Sequence, residues 1–155
     1  MFILFTFVYL LTTTIELILS KNQYFIGLAI AESFIVASYL YIRFEDRSLI
    51  GGVITTMLLG VFRGFGLFLD FTILIAFLLL YETFFKEEGK IDKFIIGGVM
   101  ITLISVFKTI LISIIFLSTR IDIVSIIVNV IISLLVFSIS YYLLGRYVKE
   151  ADSYR

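Results

Sequence analysis

Residues 93–145 read KFIIGGVMITLISVFKTILISIIFLSTRIDIVSIIVNVIISLLVFSISYYLLG, with a single charge, Lys108, in positions 94–117 and none in positions 123–145. As helices rising about 1.5 Å per residue, both runs are long enough to cross a hydrocarbon layer of about 30 Å. A helix on a water-soluble domain would carry a charged stripe opposite its apolar one. Neither run has such a stripe. The polar cluster between them, Ser118-Thr119-Arg120-Ile121-Asp122, is long enough for a short turn.

The same punctuation recurs upstream, where apolar runs at 2–19, 24–42, 48–63 and 65–85 are separated by short polar clusters. Hydrophobic residues make up 61% of the 155 positions and charged residues 15%, with a mean hydropathy of +1.17. That balance excludes an ordinary soluble domain and leaves no stretch for a soluble catalytic one. The expectation is an all-α integral membrane protein, one domain over 1–155, built as a polytopic bundle of about six transmembrane helices. The runs at 48–63 and 65–85 are crowded around Arg63-Gly64-Phe65-Gly66, so a tight pair of crossings and a partly re-entrant hairpin both fit. Met1-Phe2-Ile3-Leu4 has neither a basic start nor a small-residue cleavage site and reads as the beginning of a retained helix.

Cysteine, tryptophan, histidine and proline are absent. Their absence removes disulfides, thiol nucleophiles, histidine bases and the commonest transition-metal ligands, so neither metal nor cofactor is expected. Twelve basic and twelve acidic residues cancel, which gives no broad signal for nucleic acid. Their placement is informative. Arg43, Arg47, Lys86, Lys90, Lys93, Arg146, Lys149 and Arg155 fall on one side of a six-span topology, and Lys21, Arg63 and Arg120 fall on the other. The positive-inside rule then makes both termini cytoplasmic. The loops Arg43–Ser48 and Lys86–Lys93 and the tail after Gly145 read as solvated connectors.

Helices in lipid associate through close packing at small residues and shared hydrogen bonds rather than by hydrophobic burial. Four seams suit this. They are Ala29, Ser33 and Ala37; Gly52, Thr56, Gly60 and Gly64; Gly98, Thr102, Ser105, Thr109 and Ser113; and Ser125, Asn129, Ser133 and Ser140. At helical spacing each occupies one face, which serves helix packing or lines a polar pathway. An echo of Ile50-Gly51-Gly52-Val53 in Ile96-Gly97-Gly98-Val99 fits either a duplicated hairpin or the biased composition.

Glu16, Glu32, Asp70 and Lys108 lie inside spans and Arg63 at a span end. Each costs a few kcal/mol in lipid unless paired or hydrated. Under the six-span topology they share the outer half of the membrane. One reading is a buried ion-pair network joining Lys108 to Glu32 or Asp70. The other is a socket for a polar ligand or partner helix. No paired acids stand in a context suited to intramembrane hydrolysis, so no catalytic residue is expected.

The stretch Tyr41–Lys86 leads from a basic loop (Arg43, Arg47) into Gly51-Gly52, Gly60 and Gly64-Phe65-Gly66-Leu67, and ends in Tyr81 and Phe85-Lys86. It resembles the glycine-rich central hairpin of the MreD family, small membrane subunits of the bacterial cell-elongation machinery, whose length and span count the whole chain also matches. The resemblance implies a non-enzymatic scaffold in the cytoplasmic (inner) membrane. Its implied partners are an MreC-like bitopic protein, a RodA-like glycosyltransferase, a class B penicillin-binding protein and MreB-like filaments. The substrate-binding S component of an energy-coupling-factor transporter is the rival, being another compact six-helix protein. Its alanine-rich partner face has a counterpart here only in Ala29, Ala31 and Ala37. A small channel or lipid-handling protein is a third class, suggested by the polar stripes of the last two spans.

Overall fold

The computed structural model describes residues 2–41, 69–84, 92–116 and 122–153, and among them every regular element is helical. In chain order these are α1 (Phe2–Leu19), a 3-10 turn (Gln23–Phe25), α2 (Ile30–Tyr41), α3 (Leu69–Phe84), α4 (Lys93–Phe116) and α5 (Ile123–Ser153). The expected span at 48–63, the seam Gly52, Thr56, Gly60 and Gly64, the first copy of the glycine echo and Arg63 lie outside the described residues. Two stretches, Lys93–Ile114 and Ile123–Arg146, are long and apolar enough to cross a membrane.

Local chemistry sets where the long helices begin. Asp92 Oδ1 accepts from Phe94 N–H at 3.0 Å and Asp122 Oδ1 accepts from Val124 N–H at 3.0 Å. Each aspartate caps amides that have no partner within the helix, and its negative charge favours that end of the helix dipole. Two boundaries differ from the sequence reading. The run starting at 24 is not α-helical until Ile30. Asn22 instead caps the short turn, its Oδ1 accepting from Tyr24 N–H at 3.1 Å, and the chain enters α2 through an irregular stretch. At the other end, the segment after Gly145 is no connector but a continuation of α5 to Ser153. Lys149, Glu150 and Ala151 are good helix formers, and adding to a nucleated helix costs far less than starting one.

α2 is the centre of the fold, packed by α1, α4 and α5, while α4 also meets α5 and α3, and the 3-10 turn rests on α5. Every residue from Gly27 to Ser38 is buried, as expected of a helix with neighbours on all sides. Tyr9 stands edge-on to Phe34 with ring centroids 4.9 Å apart, tying α1 to α2. Phe94, Phe137 and Tyr141 form a cluster with centroids 5.3–5.8 Å apart between α4 and α5. Gly97 permits the closest approach there, since a Cβ on it would lie 2.3 Å from Phe137 Cζ and 2.6 Å from Leu40 Cδ1. Its neighbour Gly98 is half-buried, with Leu134 Cδ2 at 3.8 Å from such a Cβ.

The outward faces of the two long helices are apolar, unlike those of a water-soluble bundle. On α4 the exposed row is Ile95, Val99, Leu103 and Phe107, and on α5 it is Ile127, Ile131, Leu135 and Ile139. The same helices turn Ser105, Lys108, Thr109 and Ser113, and Ser125, Asn129, Ser133 and Ser140, inward. Soluble helices bury their apolar face and solvate the polar one. Here the outward rows are apolar and the polar side chains turn inward.

Candidate functional site: a buried charge cluster at the start of α2

Three helices bring one charged side chain each to a common point. Glu16 comes from the last turns of α1, Glu32 from the first turn of α2 and Lys108 from the second half of α4. Lys108 Nζ lies 2.7 Å from Glu16 Oε1 and 2.6 Å from Glu32 Oε1, and all three side chains are fully buried. Distances this short are those of charge-assisted hydrogen bonds. Deep burial strengthens their attraction and raises the cost of losing a member.

Glu16 does a second job. Its Oε2 accepts from Ala31 N–H at 2.9 Å. The first amides of a helix lack intrahelical acceptors and carry its partial positive charge, so a carboxylate there is favoured twice over. One side chain therefore caps α2 and engages the lysine.

The irregular lead-in to α2 is satisfied by side chains from other helices. Ser125 Oγ donates to Tyr24 C=O at 2.7 Å, and Ser105 Oγ donates to Gly27 C=O at 2.9 Å. Ala29 N–H donates to Ser133 Oγ at 3.0 Å. Gly27 makes this approach possible, because a Cβ would fall 1.7 Å from Thr109 Oγ1 and 3.0 Å from Ser105 O. Buried non-helical backbone is tolerated only where other protein groups replace the missing hydrogen bonds.

Of the charged residues singled out from sequence, Glu16, Glu32 and Lys108 are brought together. Lys108 pairs with Glu16 as well as Glu32, a partner the sequence reading did not assign to it. Asp70 lies in the first turn of α3, where its side chain is outside the described residues, as is all of Arg63. Of the seam residues, Ala29, Ser33, Ala37, Ser105, Thr109, Ser125, Asn129 and Ser133 are buried, and Gly98 and Thr102 are half-buried. Thr102 donates to the carbonyl of Gly98 in its own helix at 2.9 Å. Sequence reasoning missed Gly27, Gly97 and the Ala31 amide. The small residues Gly27, Ala29 and Ala31 at alternate positions were the available signal for a close backbone approach.

Chemically, the cluster joins helices. Both carboxylates contact the same ammonium, and among the described residues no three metal-ligating side chains converge. Asn129 stands apart. It is fully buried between Ser125 and Ser133, and its Nδ2 reaches Ser125 Oγ at 3.4 Å. Its Oδ1 has no hydrogen-bond partner among the described residues. Compared with known proteins, the chain matches no family model, no curated protein and no solved structure.

Proposed function

We propose that this chain is a multi-pass protein of the bacterial cytoplasmic membrane. In this reading it has about six transmembrane helices, both termini face the cytoplasm, and it acts as a non-enzymatic scaffold subunit of the cell-elongation complex. The membrane part rests on the outward faces of the long helices, with apolar rows outward on α4 and α5 and serine, asparagine and lysine inward. In water such rows would drive association, whereas in lipid they are the ordinary outer surface. The scaffold part rests on the use of the intramembrane charges. Glu16, Glu32 and Lys108 hold α1, α2 and α4 together, as a rigid docking platform requires. The partners are those of the resemblance: an MreC-like bitopic protein, a RodA-like glycosyltransferase, a class B penicillin-binding protein and MreB-like filaments.

Asn129 favours a second reading, the S component of an energy-coupling-factor transporter. A buried amide oxygen with no partner among the described residues is what a small polar ligand entering the bundle would engage. One experiment separates the two readings. Tagged protein is withdrawn from its native membrane in mild detergent, and co-purifying proteins and small molecules are identified by mass spectrometry. Elongation proteins in stoichiometric amounts support the scaffold. A transport ATPase pair or a stoichiometric metabolite replaces it with the S component.

A further inference from the structure

Ser125, Asn129 and Ser133 follow one another a turn apart on the inward face of α5. The outer two hold the lead-in to α2. Ser125 Oγ donates to Tyr24 C=O at 2.7 Å, and Ser133 Oγ accepts from Ala29 N–H at 3.0 Å. The chain between those two contacts therefore passes across the level of Asn129. Asn129 is fully buried, and its Oδ1 has no hydrogen-bond partner among the described residues.

The neighbours fix which way its amide faces. A serine hydroxyl has one hydrogen to give. That of Ser125 goes to Tyr24 C=O, so toward Asn129 its oxygen can only accept, and it takes Nδ2 at 3.4 Å. The amide oxygen is thereby turned away from Ser125. Ser133, also fully buried, has the converse need: its oxygen accepts from Ala29, and among the described residues its own hydrogen donates to no group. A buried acceptor and a buried donor thus share one face of α5, and residues one turn apart have Cβ atoms about 5–6 Å apart.

We infer that Asn129 and Ser133 form a binding site for one uncharged hydroxyl group, which donates to Asn129 Oδ1 and accepts from the Ser133 hydroxyl. Two hydrogen bonds of about 2.8 Å meeting at one oxygen reach across a single turn, and a hydroxyl carries donor and acceptor on the same atom. An anion would meet the partial negative charge of the amide oxygen, and a bare cation would leave the serine hydrogen without an acceptor. Water and a hydroxyl-bearing ligand offer the same chemistry. A ligand would enter at the start of α5, where the covering chain is exposed at Tyr24 and half-buried at Phe25 and Ile26, and would keep the rest of its body toward that end. The inference deepens the second reading above, on which the ligand as source rests; water as source needs neither reading.

A high-resolution crystal structure of the full chain, extracted from its native membrane, tests the site. One oxygen within hydrogen-bond distance of both Asn129 Oδ1 and Ser133 Oγ is expected. Absence of any atom there, an atom that meets only one of the two, or a metal ion overturns the site. Mass spectrometry of small molecules released from the parent and from the Asn129→Leu protein then identifies the source. A hydroxyl-bearing compound retained by the parent and lost about tenfold in the variant, the effect of one buried hydrogen bond, assigns the oxygen to a ligand. With no such difference the bridging oxygen is water, and the site stands. The transporter reading fails separately, when the co-purification described above returns neither a transport ATPase pair nor a stoichiometric metabolite.

Discussion

Gly27→Ala tests the central geometry with a single methyl group. The added Cβ would sit 1.7 Å from Thr109 Oγ1, 2.8 Å from Thr109 Cβ and 3.0 Å from the carbonyl oxygen of Ser105. Rotating Thr109 relieves the first contact and forfeits its hydrogen bond to Ser105 C=O, which is 2.9 Å long. The other two contacts are fixed by the backbone of α4, so the lead-in segment must move away from that helix. Moving away stretches the Ser105 to Gly27 hydrogen bond, also 2.9 Å. Overpacking of this kind costs about 1–3 kcal/mol, and weakening a buried hydrogen bond adds about 1 kcal/mol. The expected total of roughly 2–4 kcal/mol corresponds to a fall of about 10 °C in melting temperature for a chain of this size. Thermal unfolding in detergent, followed by helix circular dichroism, measures it. Gly98→Ala is the matched control. Among the described residues its new methyl finds only Leu134 Cδ2, at 3.8 Å, and the helix gains about 1 kcal/mol of propensity. Thr109→Ala in the Gly27→Ala background is expected to recover part of the loss, since it removes Oγ1 and keeps Cβ. A Gly27→Ala protein that melts at or above the parent temperature would refute the close approach, and with it the account of why the helix starts at Ile30.

Three further outcomes follow from the same contacts. Lys108→Ala leaves two buried carboxylates without the ammonium they contact, so a loss of about 3–5 kcal/mol is expected in the same melting assay; an unchanged melting temperature would remove the cluster from the stability of the fold. Ser133→Ala strips the acceptor from Ala29 N–H and is expected to cost about 1–3 kcal/mol, whereas Asn129→Leu discards an amide oxygen that has no partner among the described residues and is expected to raise stability by about 1 kcal/mol; the opposite ranking would mean that Asn129 holds something essential. Ile131→Lys puts a charge in the middle of the outward row of α5; in lipid it is expected to impair insertion by about 3 kcal/mol, measured as the fraction of chain retained in alkali-washed membranes, and full retention would count against a lipid-facing α5.

The extent of the apolar runs and the identity of the polar residues between them were enough to determine helical class and the two long helices. These are local properties, because a residue's hydrophobicity and that of its near neighbours set them. The inward direction of Ser105, Ser125, Asn129 and Ser133 was legible for the same reason, since spacing on one helix fixes which residues share a face. What only the tertiary structure decided is what each face meets. The apolar stretch from Tyr24 to Ala29 reads as the beginning of a helix, yet it is irregular, because serines from α4 and α5 supply hydrogen bonds that a helix would otherwise make for itself. Gly97 rather than Gly98 takes the close contact with α2 and α5, because two adjacent glycines point in directions about 100° apart and only one faces Phe137 and Leu40. Lys108 is visibly costly in any reading of the chain, but its partnership with both Glu16 and Glu32 across 92 and 76 residues is a property of how three helices meet in space.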